Sequence, residues 1–274
     1  MRKPKRSSDF APSNKHILLL SVSHNDQTQY TISLVGTYIN YMFLPERQDM
    51  LDGGCFYAPQ AVIDERGRRI MWGWLREGRD NAEQLAAGWS GVMSLPRLFS
   101  LRLDNVLDVR PAPELTLLRG KQTHYSDLAL VPSAPTMLPD VRGDALEIIA
   151  TFEPGDADSF GVLVRCSPDL RETTRIEYNS QLKHIAIDRS RSSLNEAVEH
   201  HEQSTLCELA AHERVTLHIF LDHSVIEIFV NNQVCLSSRI YPTLTESVGV
   251  GLFANSDKAR LTVFDMWEMA SLSA

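Results

Sequence analysis

Two runs near the C-terminal end constrain this chain most. They are Val215-Thr216-Leu217-His218-Ile219-Phe220-Leu221-Asp222 and Val225-Ile226-Glu227-Ile228-Phe229-Val230. Branched and aromatic residues dominate both, and their side chains suit a pleated surface better than a helix. Asp222-His223-Ser224 sits between them as a tight turn, and Asn231-Asn232-Gln233 closes the next hairpin. The remainder of the chain repeats this grammar. Helical periodicity is nearly absent, and short strand-like runs alternate with turn residues.

Upstream, residues 16–23, 29–37, 56–64, 69–75 and 91–103 read as strands. Asp64-Glu65-Arg66-Gly67 and Asp104-Asn105 read as turns. Residues 80–88 suit one helical turn or a surface loop. Residues 111–119 begin with two prolines and continue with good helix formers, which predicts a short linker helix. Beyond residue 120, about ten strands in antiparallel hairpins imply a β-sandwich. The regular strands ahead of the linker suit a propeller or barrel. The expected class is all-β.

Composition excludes some functions. The net charge of −8 argues against nucleic acid or an anionic membrane as the main partner. The apolar run Ile17-Leu18-Leu19-Leu20 falls far short of the roughly 20 residues of a membrane span. Met1 to Arg6 is basic, but Ser7-Ser8-Asp9 follows instead of an apolar stretch, so a cytoplasmic location is expected rather than secretion. Cys55, Cys166, Cys207 and Cys235 show no metal-binding spacing and read as free thiols. No histidine pair has ligand spacing, and the adjacent His200 and His201 would face opposite ways on a strand. No metal or cofactor is expected.

Several motifs carry a resemblance. Asp52-Gly53-Gly54-Cys55-Phe56-Tyr57-Ala58-Pro59-Gln60 is followed by Gly67-Arg68-Arg69-Ile70-Met71-Trp72-Gly73-Trp74. Then come Gly88-Trp89-Ser90-Gly91 and Ser94-Leu95-Pro96-Arg97. In the second half stand Asp188-Arg189-Ser190-Arg191-Ser192, residues 220–231, and Ser238-Arg239-Ile240-Tyr241-Pro242. Together and in this order they resemble glycoside hydrolase family 32, the invertases and fructanases. The resemblance spans roughly residues 15–270. It implies a five-bladed β-propeller followed by a β-sandwich, and retaining hydrolysis of β-fructosidic bonds in sucrose, inulin or levan. Only part of that propeller has room here. The expected division is the last one to two blades over 1–110, the linker helix over 111–120, and the sandwich over 121–274.

The resemblance also implies site residues. Tyr57 and Trp74 resemble residues that line the fructose pocket; from the strand pattern alone they suit a core equally well. Trp72 and Trp74 share a face by period two, and Trp74 is favoured for the pocket. Asp52, ahead of two glycines, suits either a sugar hydroxyl or an Asx-turn. Asp188, Arg189 and Arg191 suggest an ion-pair network at a strand end or at the sandwich–propeller interface, and Asp222 with His223 suggests turn chemistry.

The family's three acidic motifs, with Asn-Asp-Pro, Arg-Asp-Pro and Glu-Cys-Pro-Asp, do not occur. The nearest to the last is Arg6-Ser7-Ser8-Asp9-Phe10, which puts Arg6 at the acid/base position. An arginine does not release its proton near neutral pH. Retaining hydrolysis needs two carboxyl groups about 5 Å apart. The chain alone is therefore expected to be inactive on fructosides. It would be the C-terminal portion of a hydrolase, either a truncated product or one half of a split enzyme whose N-terminal half lies on a separate chain, with a fructose-containing sugar as ligand of the intact form. The alternative is a non-catalytic carbohydrate-binding or oligomerisation module. In either case apolar strand surface should lie open where blades are missing.

Overall fold

The computed structural model describes residues 14–271 apart from 26, 133, 211 and 257. Among them are twenty strands, one α-helix and one 3-10 helix. The chain is mostly β-sheet, as expected.

The first sheet is a meander of β1 (His16–His24), β2 (Gln27–Ile39) and β3 (Met42–Asp52). The pattern missed β3, whose Pro45, Glu46, Arg47 and Asp49 depress strand propensity. It forms because it is an edge strand, where proline removes no needed donor. Pro45 sits opposite Gly36 at a register shift. A Cβ on Gly36 would meet the Leu44 carbonyl, so only glycine lets the two backbones close.

The second sheet holds β4 (Phe56–Ile63), β5 (Arg69–Leu75), β6 (Val92–Met93), β7 (Arg97–Leu101) and β8 (Leu107–Pro111). The single strand expected over 91–103 is instead two short ones, with Pro96 lying between them. Between β5 and β6 stands α1 (Asn81–Ala87). The expected linker helix is a 3-10 helix, Pro113–Leu118.

Twelve further strands build two six-stranded antiparallel sheets. They are β9 (Arg119–Leu130), β10 (Thr136–Arg142), β11 (Ala145–Glu153), β12 (Ser159–Cys166), β13 (Thr173–Asn179) and β14 (His184–Arg191). They continue as β15 (Gln203–Leu206), β16 (Val215–Asp222), β17 (Val225–Val230), β18 (Val234–Arg239), β19 (Gly249–Asn255) and β20 (Ala259–Met269). One sheet runs β10-β19-β12-β13-β14-β15 and the other β18-β17-β16-β11-β20-β9.

Both six-stranded sheets contribute to one core. Ile148, Leu217 and Ile228 from one pack with Val162, Ile176 and Leu252 from the other. All are essentially inaccessible, and burying each stabilises by about 2 kcal/mol. A second core lies behind the first two sheets. Phe56, Met71, Leu75 and Val109 of the second sheet meet Phe220, Phe229 and Cys235 on the outer side of β16–β18. The alternation in β16 explains how one strand serves two cores. Leu217, Ile219 and Leu221 point one way and Phe220 the other.

Candidate functional site

The site begins with two facing strands. In the β4–β5 register Tyr57 sits directly opposite Trp74, and Trp74 in turn sits opposite Met93 of β6. Trp74 is 42% exposed, while Trp72 two residues earlier is half-buried. Gly73 between them leaves room for the Phe56 ring, which closes the inner face. Gly91 has a φ of +64° and lies against the Trp74 indole where any Cβ would collide. The indole is thus fixed from one side and open on the other. The Tyr57 hydroxyl donates to the Val22 carbonyl at 3.2 Å, tying this surface to β1. Next to Tyr57, Ala58 adopts a φ of +50° at a register shift in β4. A non-glycine residue there is strained, and such strain gathers at functional surfaces.

Asp52 stands elsewhere. It is 1% exposed and does not reach this surface. Its Oδ1 accepts from the Gly54 amide at 2.9 Å and from the Ser237 amide at 3.0 Å. Its Oδ2 accepts from Arg97 at 2.9 Å and from the Ser237 hydroxyl at 2.7 Å. Asp52 as a sugar ligand is therefore corrected: burial and four donors leave it no free lone pair for a ligand. The Asx-turn half of that expectation describes the Gly54 contact.

Arg97 is also fully buried. It reaches Glu227 at 2.6 Å and the Ser237 hydroxyl at 2.7 Å, and its guanidinium lies 4.2 Å from the Phe56 ring centre. Burial opposes its charge, but Glu227 and Asp52 beside it raise its pKa above the ordinary arginine value. Glu227 is completed by the Leu95 amide at 2.6 Å. These partners lie 45 and 130 residues from Arg97 along the chain, so no local pattern could have joined them.

A second polar cluster frames the loop beyond β5. Glu77 accepts from Arg79 at 2.8 Å, from the Gly91 amide at 3.0 Å and from the Tyr241 hydroxyl. Burial works against its charge, but Arg79, Tyr241 and Gly91 outweigh it and hold the carboxyl well below the usual range. The Arg79 guanidinium lies 4.1 Å from the Trp89 ring centre and 5.2 Å from that of Tyr241. Trp89, Gly91 and Tyr241 belong to runs visible in the sequence, but Glu77 and Arg79 carried no signal.

The remaining candidates are structural. His223 bonds Asp144 at 3.0 Å in an exposed turn, and Asp222 stays exposed. Arg189 is buried on the carbonyls of His201 and Arg239, and also meets Glu199 at 3.1 Å. Arg191 reaches the Leu170 carbonyl, while Asp188 accepts from the Ser190 amide. All four cysteines are buried and unpaired, and burial pushes the thiols of Cys55, Cys207 and Cys235 up to about 12. Arg6, aligned with the acid/base position, lies outside the described residues.

Chemically, the surface offers an aromatic platform. Two carboxylates of the surrounding polar clusters are committed to arginines. Asp52 is locked to Arg97, and Glu77 is held by Arg79.

The comparisons with known proteins agree with this frame. The model of the glycosyl hydrolases family 32 N-terminal domain matches residues 4–111, and that of the family's C-terminal region matches 114–268. A sucrose-6-phosphate hydrolase of Zymomonas mobilis is 31% identical over 250 residues, covering 88% of this chain and 47% of its own length. An insoluble β-fructofuranosidase isoenzyme of Daucus carota is 29% identical, covering 93% of this chain and 52% of its own. Among solved structures, fructan 1-exohydrolase IIa from Cichorium intybus superposes with a TM-score of 0.82 at 22% identity, over 88% of this chain and 55% of that one. The chain spans about half the length of the curated relatives it matches. With both of the family's domain models matched in order along nearly its whole length, the chain belongs to glycoside hydrolase family 32.

Proposed function

We propose that this chain is the fructose-facing wall and C-terminal part of a β-fructofuranosidase-type hydrolase, inactive on its own. On this reading residues 1–110 form the last one to two blades of a propeller, 111–120 the connection, and 121–274 the sandwich. The tandem match to both domain models carries the reading. The Tyr57–Trp74 pair supports a fructose-containing sugar as ligand, since an exposed indole face beside a tyrosine suits the C–H face of a sugar ring. Inactivity rests on the missing acidic motifs and on the commitment of Asp52 and Glu77 to arginines. A general acid must hold a proton and reach the leaving oxygen. In an intact unit, a separate N-terminal half would supply those carboxylates.

The test is fructose release from sucrose and inulin by the purified chain. No release above buffer is expected. Release that scales with protein concentration would refute the inactivity. Tryptophan fluorescence titrated with the same sugars reports binding, and Trp74→Ala should abolish any saturable change. Saturable inulin binding that survives Trp74→Ala would favour a carbohydrate-binding module elsewhere on the chain.

A further inference from the structure

A buried carboxylate on an arginine is commonly structural. Glu77 differs in how its two oxygens are shared. Its side chain is 6% exposed. Oε1 accepts from the Gly78 amide at 3.0 Å, from Arg79 at 3.0 Å and from the Tyr241 hydroxyl. Tyr241 lies just beyond β18, in the large sheets. Oε2 accepts from Arg79 at 2.8 Å and from the Gly91 amide at 3.0 Å. The backbone on either side of Arg79 is pinned to the large sheets as well. The Glu199 amide donates to the Gly78 carbonyl at 2.8 Å, and the Asp80 amide donates to the Ala197 carbonyl at 3.0 Å. Residues 197 and 199 belong to the segment between β14 and β15.

At the other end of this network stands the Trp74 indole. Gly91 has a φ of +64°, and a Cβ there would lie 2.0 Å from the Trp74 Nε1. The Gly91 backbone is therefore the wall against which the indole rests. The two residues before Gly91 hang on the same hub. Arg79 donates to the Trp89 carbonyl at 3.0 Å and lays its guanidinium over the Trp89 ring. The Ser90 hydroxyl donates to Gln84, whose amide donates to the Arg79 carbonyl at 2.7 Å. Trp74 has little other restraint on this side, since β6 beside it is two residues long. An exposed indole can change rotamer, and an aromatic platform binds well only when packing and hydrogen bonds behind it hold one rotamer.

We infer that Glu77 is a positioning residue for the sugar platform: it holds the Gly91 backbone against Trp74, and Tyr241 of the large sheets sets Glu77 in turn. The inference rests on Trp74 as the sugar-facing residue, proposed above. Glu77 and Tyr241 act through Gly91 and not by touching the sugar. The large sheets thereby take part in ligand binding at a surface that the second sheet builds.

Fluorine NMR of the full chain labelled with fluorotryptophan tests this. Trp74→Phe assigns the Trp74 resonance among the four tryptophans. Tyr241→Phe removes only the hydroxyl on Glu77, and Glu77→Gln removes the carboxylate charge. Each should shift and broaden the Trp74 resonance. Each should also weaken inulin binding roughly tenfold, as loss of one hydrogen bond to a charged group would. Ile148→Val is the control. It thins the core of the large sheets and lowers the melting temperature, but should leave the Trp74 resonance in place. A Trp74 resonance unmoved in Tyr241→Phe and Glu77→Gln overturns the proposal. So does one that moves as far in Ile148→Val, since general loosening then accounts for it. Should Glu77→Gln fail to fold, Tyr241→Phe decides, because it keeps the ring beside Arg79. Equal inulin affinity in the wild type and Tyr241→Phe overturns the positioning role and leaves the sugar reading intact. Failure of the sugar reading looks different. The wild type then binds no inulin, yet its Trp74 resonance still shifts in Tyr241→Phe, which supports Glu77 as the residue that holds Trp74.

Discussion

At the scale of single residues, buried charge does more here than apolar contact alone would suggest. Glu172 is fully buried at a junction of loops. Its Oε1 accepts from the amides of Leu194 and Thr243 and from the Thr243 hydroxyl, and its Oε2 accepts from the Leu244 amide and the Ser247 hydroxyl. Burial would raise its pKa, but the Ser247, Thr243 and Leu244 donors outweigh that and lower it below the usual glutamate value. The sign of the pH effect follows. A carboxyl whose folded pKa is depressed stabilises above its unfolded value, about 4.3, and loses that contribution as pH falls toward the folded value. Glu172→Gln should therefore cost about 3 kcal/mol at pH 7, where charge-assisted bonds are lost. The deficit should shrink between about pH 5 and pH 3. Thermal melts of both proteins across that window check this. A deficit that stays constant with pH would show that the charge of Glu172 is not what matters.

At the scale of elements, the sequence disclosed strands by composition and concealed those that serve edges. β5 was legible to the residue, because Arg69–Leu75 is bounded by a turn and rich in large apolar side chains. β3 was invisible because the residues that protect an edge are the ones that depress strand propensity. The site was legible only in part. The Tyr57 and Trp74 runs are local motifs, whereas Asp52 acquires its role from Arg97 and Ser237, far away in sequence. The segment over 80–88, which suited either a helical turn or a loop, forms α1. Asp80 accepts from the Glu83 amide at 2.9 Å, and Gly88 closes the other end at a φ of +76°. A seven-residue helix with no buried residue has little beyond its caps to hold it. Asp80→Ala should cost about 1 kcal/mol locally. Amide exchange over residues 83–88 should accelerate, while the global melting temperature falls by about 2 °C or less. Unchanged exchange there would mean that tertiary contacts, not the cap, hold α1.

At the scale of the whole molecule, the question is what makes two small sheets and two large ones fold together. Their cores are separate, but the second is shared across the boundary, since Phe56 and Met71 pack on Phe220 and Phe229. The Asp52–Arg97–Glu227 cluster crosses the same boundary, with residues from β3, β7 and β17. Arg97 is the only cation among these three, and both carboxylates depend on it. Removing one member of such a buried group leaves uncompensated charge, whereas removing all three leaves none. Arg97→Met should therefore destabilise by roughly 4 kcal/mol. Adding Asp52→Asn and Glu227→Gln should recover a substantial part of that loss, contrary to additivity. The loss should also be localised. Three of the four tryptophans, Trp72, Trp74 and Trp89, lie in the first part of the chain, so fluorescence reports the small sheets. Far-UV circular dichroism reports mainly the twelve strands beyond residue 118. In the wild type the two signals should melt together in urea, because the shared core couples them. In Arg97→Met the fluorescence transition should move to lower urea, ahead of the circular dichroism transition, because Arg97 clamps the small sheets to β17 and β18. Coincident transitions in the variant would mean that Phe56, Met71, Phe220 and Phe229 alone bind the two parts into one cooperative unit.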